Sequence, residues 1–98
     1  MRIDFGSTNL TLAGTAQIIN DVPEQVTFVK LRAREGNVGN VYVGVSDVTS
    51  TNGWTLEPRD VLLIDLDPDG KGSSLPANTF YFNGTTTNDD IDWVYSFK

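Results

Sequence analysis

The chain has 98 residues, of which 39% are hydrophobic and 20% charged, with a formal charge of −6 at pH 7, no cysteine and no histidine. That length holds a single domain, residues 1–98, near the lower limit of what folds unaided, and the missing cysteine excludes a disulfide scaffold or a thiolate metal site. The acid excess argues against binding nucleic acid through its phosphates, and without histidine any acid–base chemistry would need a strongly shifted Asp, Glu or Lys, so a non-enzyme is expected.

The start, Met1-Arg2-Ile3-Asp4-Phe5-Gly6, lacks the basic region and apolar run of a signal peptide, and no later stretch approaches the ~20 apolar residues that span a bilayer. A soluble protein made in a cytoplasm, with no membrane partner, is expected. Thr8 to Leu12 and Thr15 to Asn20 read as a hairpin broken at Ala13-Gly14, with Leu10, Leu12, Ala16 and Ile18 inward. Gln25 to Arg34 alternates cleanly: Thr27, Val29, Leu31 and Ala33 share one face, and Val26, Phe28, Lys30, Arg32 and Arg34 share the other.

Asn37 to Val45 carries the clearest pattern, an Asn/Gly turn followed by a strand whose Val41, Val43 and Val45 face the core while Tyr42 faces away. Asn52-Gly53 is a turn dipeptide that leads into Trp54 to Leu56. Val61 to Leu66 is apolar on both faces, which suits a central strand with one face in the core and the other against a neighbouring chain or loop. Thr79 to Phe82 and Ile91 to Phe97 complete the set, with Ile91, Trp93, Tyr95 and Phe97 inward. About eight strands with turn signals every 8 to 12 residues predict an all-β, single-domain antiparallel β-sandwich, Greek-key in the jelly-roll or immunoglobulin-like manner.

Two acidic stretches are candidates for chemistry. Asp65-Leu66-Asp67-Pro68-Asp69-Gly70 fits the start of a calcium loop, with Asp65, Asp67 and Asp69 as ligands, but Pro76 stands where the closing glutamate belongs and strands flank it. The same residues make a proline turn, so no cofactor or metal is expected beyond weak calcium at those three aspartates. Asn88-Asp89-Asp90-Ile91-Asp92 has adjacent carboxylates that diverge, and reads as a solvated turn without a catalytic pair. Partner contact is the more promising use of this surface. The cationic stripe Lys30, Arg32 and Arg34 is expected to meet an acidic patch on a partner, such as the acidic loops of another copy of the chain. Tyr42, Trp54, Val61 and Leu63 are the other expected interface residues.

Together, Ala13-Gly14-Thr15-Ala16-Gln17, Val29-Lys30-Leu31-Arg32-Ala33-Arg34, Asn37-Val38-Gly39-Asn40-Val41-Tyr42-Val43-Gly44 and Asn83-Gly84-Thr85 followed by Asp92-Trp93-Val94-Tyr95 resemble small virion structural proteins of tailed bacteriophages. The resemblance covers most of the chain and implies a capsid cement or decoration protein. Such a protein is made in the bacterial host, binds the major capsid protein on the outer surface of the assembled head, and brings no catalytic residues. A homo-oligomer is expected, a trimer before a dimer, docked at a local symmetry axis. The alternative is a small carbohydrate- or receptor-binding module of a tail or fibre, which requires exposed coplanar aromatics.

Overall fold

In a computed structural model, which describes residues 2–98, the chain forms nine strands and one short 3-10 turn, Ala77–Thr79. The strands are β1 (Arg2–Asn9), β2 (Gln17–Ile18), β3 (Gln25–Ala33), β4 (Val41–Gly44), β5 (Trp54–Leu56), β6 (Val61–Asp65), β7 (Leu75–Pro76), β8 (Tyr81–Gly84) and β9 (Asp90–Phe97). They build two antiparallel sheets, one ordered β1-β9-β3-β6 with β7 beside β3, the other β2-β8-β4-β5. The pairs β1·β9, β2·β8, β3·β6 and β4·β5 are those of a chain doubled into one long hairpin. Winding that hairpin adds β3·β9 and β4·β8. This strand order is the jelly roll, in which the first and last strands pair antiparallel, whereas the constant-type immunoglobulin order puts them in different sheets.

The core lies between the sheets. Val29, Leu31 and Ala33 of β3, Val41 and Val43 of β4, Leu56 of β5, Phe82 of β8, and Ile91, Tyr95 and Phe97 of β9 are all buried. Tyr95 stacks with Phe97 and meets Phe80 and Trp93 edge-on, at centroid distances of 6.5 Å and 5.3 Å for the latter two. Its hydroxyl finds no hydrogen-bond partner among the described residues, and burial pushes the phenol above its usual range.

Several sequence expectations change in the fold. The first hairpin does not form: β1 pairs with β9 along its whole length, and residues 10–16 cross between the sheets, burying Leu10 but leaving Leu12 60% exposed. Ile19 is buried, whereas Ile18 is only half-buried. In β3 a register shift between Val26 and Phe28 turns Val26 inward, so it does not share the outer face with Phe28. An extra residue in one strand produces this reversal of alternation. Val45 is not core: β4 ends at Gly44, and Val45 accepts the turn bond from Val48 N. The Val61 to Leu66 stretch is not a central strand. It forms β6 at the edge of the first sheet, because among the described residues it pairs with β3 alone, and β3 turns its other side to β9.

The Asn37–Asn40 turn is held by the second acidic stretch. Buried Asp89 accepts the main-chain N–H groups of Val38 and Gly39, each at 2.9 Å. Asn37 and Asp90 exchange two bonds, Nδ2 to the Asp90 carbonyl at 2.8 Å and the Asp90 N–H to Oδ1 at 2.7 Å. Asp89 is therefore a structural acceptor for a turn and not part of a solvated loop.

Candidate docking face

Alternation along four paired strands sets three rows of side chains on the outer face of the first sheet. The registers align Phe5, Val94, Lys30 and Leu63 in the middle row. Ser7, Asp92, Arg32 and Val61 form the row on one side, and Ile3, Ser96, Phe28 and Asp65 the row on the other. Phe5 is 75% exposed and Leu63 59%, with Ile3 and Val61 about half exposed. Burying a side chain of this size stabilises by roughly 1.5–3 kcal/mol, so this face leaves that gain unrealised in the single chain. A cleft of about 330 Å³ opens on it between Phe5 and Val61, lined also by Lys30, Arg32, Asp92 and Val94.

The cations of the face divide into two kinds. Arg32 and Arg34 both turn to Asp92: Arg32 Nη2 donates to Oδ2 at 2.7 Å and Arg34 Nη2 to Oδ1 at 2.8 Å. Ser7 donates to Oδ1 at 2.6 Å, and Arg34 also reaches Ser7 and Asp90. Burial opposes ionisation of Asp92, but the hydrogen bonds from Ser7, Arg32 and Arg34 outweigh it and hold the carboxyl at about 2. The same hydrogen bond to Asp92 raises Arg34. A carboxylate so strongly ionised is a weak proton acceptor at neutral pH. Lys30 makes no ion pair among the described residues and stands exposed between Val94 and Leu63. The expected stripe of three free cations is thus one free lysine beside an arginine pair already neutralised within the chain.

Gly6 shapes the margin of this face from below. A Cβ there would overlap the ring of Trp93, whose indole packs across β1 toward the core side and donates from Nε1 to Thr8 Oγ1 at 3.1 Å. Glycine is needed wherever another group approaches the backbone this closely.

The remaining candidates lie elsewhere. Tyr42 is half-buried on the outer face of the second sheet, in an open cleft with Ser50 and Thr85. Trp54 is 64% exposed on edge strand β5 and pairs with core-facing Val43, whereas Tyr42 pairs with Thr55. Paired residues share a sheet face, so Tyr42 and Trp54 point to opposite sides and make no common platform. The loop carboxylates turn back on their own backbone: Asp65 accepts from Asp67 N, Asp67 from Gly72 N and Ser73 N, and Asp69 from Lys71 N. Among the described residues, no group of three or more His, Cys, Asp or Glu side chains is placed to hold a metal ion.

Phe5 and Ile3 are the surface residues that sequence reasoning missed. Their alternation with Asp4 and Gly6 is visible in the sequence, but an apolar face turned outward carries no local mark of its direction. Compared with protein-family models the sequence finds no match, and compared with curated proteins it finds none at a significant level.

Proposed function

We propose that this chain is a non-enzymatic structural protein of a tailed-bacteriophage particle, a cement or decoration protein that docks on the major capsid protein at the outside of the assembled head. The docking surface in this reading is the outer face of the first sheet. The observation that carries it is the middle row, in which exposed Phe5 and Leu63 flank Val94 and an unpaired Lys30. An apolar centre with one free charge is what a specific interface uses, the apolar area for affinity and the charge for register. The sequence resemblance supplies the identity of the partner. The fold favours neither this reading nor its rival, since capsid and lectin domains both use jelly rolls.

The carbohydrate-binding reading is weaker on geometry, because Tyr42 and Trp54 face opposite sides of the second sheet. Sedimentation with assembled heads tests the proposal: the protein is expected in the pellet with heads and in the supernatant without them. Retention on a glycan panel with none on heads would favour the rival.

A further inference from the structure

Each sheet of a sandwich ends in strands that offer unpaired N–H and C=O groups, and folded proteins blunt such edges by keeping them short, charged, bulged or covered. Three of the four edges are shorter than the fourth or interrupted: β2 has two residues, β5 three, and the far edge of the first sheet is divided between β6, with five, and β7, with two. The fourth, β1, runs eight residues in unbroken register with β9 and contains no proline. Among the described residues its main chain bonds to no other segment's main chain. From side chains of the described residues, the carbonyl of its last residue, Asn9, alone is covered, by Gln17 at 2.7 Å. Phe5 stands in the middle of this open edge.

The composition of the edge selects what covers it. β1 carries one cation, Arg2, and one carboxylate, Asp4, so in a chain of charge −6 it is a locally balanced strand that adds no like-charge repulsion at a seam between two copies. Two identical strands paired antiparallel are related by a two-fold axis that falls on one residue, with outward side chains kept outward. An axis at Asp4 sets two carboxylates opposite each other, which is destabilising. An axis at Ile3 or Ser7 shortens the overlap, and one at Gly6 sets Phe5 against Ser7 and Ile3 against Asn9. An axis at Phe5 sets ring against ring, overlaps Arg2 through Thr8 and opposes no like charges.

We infer that two copies of this chain join through β1, antiparallel about a two-fold axis at Phe5, so that their first sheets continue into one and their outer faces become one surface. The assembly is a dimer, in place of the trimer expected from sequence. It does not depend on the docking proposed above.

The chain has no cysteine, so single-cysteine variants report the seam directly. Phe5→Cys is expected to oxidise to a disulfide dimer at micromolar concentration, because residues opposite each other lie within bridging reach. Ile3→Cys, on the same face of the same strand but about 13 Å from its own symmetry mate, and Leu63→Cys, on the far edge, are expected to stay uncrosslinked. By sedimentation velocity the natural chain runs as a dimer and Phe5→Lys, which sets two cations on the axis, as a monomer with an unchanged circular dichroism spectrum. A natural chain that sediments as a monomer or a trimer overturns the inference, as does Ile3→Cys crosslinking as readily as Phe5→Cys, or Phe5→Lys remaining a dimer.

Discussion

Arg34 grips a single oxygen of Asp92 with two donors, Nη2 at 2.8 Å and Nε at 3.2 Å, while Arg32 holds the other oxygen. The stripe of cations and the acidic stretch, 58 residues apart for this pair, neutralise each other within one chain. The consequence is a pH-dependent contribution to stability. The folded pKa of Asp92, about 2, lies below its unfolded value of about 3.9. The stabilisation is therefore fully present above about pH 4 and is lost as the pH falls toward 2. With the Asp92 side chain 18% exposed and its guanidinium partners about half exposed, it amounts to roughly 1–2 kcal/mol. Urea unfolding at pH 5 and pH 2.5 is expected to show that loss, and Asp92→Asn is expected to flatten the slope across this window.

Gly6→Ala is expected to destabilise the chain by about 1–3 kcal/mol, since the new methyl must displace the Trp93 ring. Tryptophan fluorescence of the folded variant should shift, because Nε1 loses its bond to Thr8 when the indole moves. An unchanged melting temperature and spectrum would refute the close packing of Trp93 on β1.

Tyr95→Phe is expected to leave stability unchanged or raise it by up to about 1 kcal/mol. The variant keeps the ring among Phe80, Trp93 and Phe97 and removes a buried hydroxyl with no partner among the described residues. Chemical denaturation of the two proteins side by side measures the difference. A loss above about 1 kcal/mol would mean that the hydroxyl is satisfied.

Arg59 occupies the left-handed region at φ 80°, in a turn closed by Asp60 N on the Glu57 carbonyl at 2.9 Å with Pro58 before it. A type II turn asks for glycine at that place. Arg59→Gly is therefore expected to stabilise by about 1 kcal/mol, because the ion pair with Glu35 that it removes is fully surface-borne and contributes little. Thermal melts of both proteins check the sign.

What the sequence makes legible depends on how local each signal is. The strand periods of β3, β4 and β9 come from side chains that alternate against one core, so Val29, Leu31, Val41, Val43, Tyr95 and Phe97 are readable from the order of residues alone. β1 is not, because its core-side residues include Asp4, paired with Arg2, Gly6, which makes room for the Trp93 ring, and Thr8, which accepts its Nε1–H, and none of the three fills the core. The exposure of Leu12 and Val45 depends on where strands stop, and a stop is set by tertiary pairing more than by composition. Only part of the proposed docking face is legible in the same way: Lys30, Val61 and Leu63 lie on it, but Tyr42 and Trp54 belong to the second sheet, and Arg32 and Arg34 are engaged by Asp92. No local pattern announces a contact between residues so far apart along the chain.

The most direct test of the docking account compares one charge placed on each sheet. Leu63→Lys interrupts the outer face of the first sheet, and Thr55→Lys places the same charge on the outer face of the second, both at exposed positions. In sedimentation with assembled heads, Leu63→Lys is expected to stay in the supernatant while Thr55→Lys pellets like the natural chain. Retention of Leu63→Lys together with loss of Thr55→Lys would contradict the account.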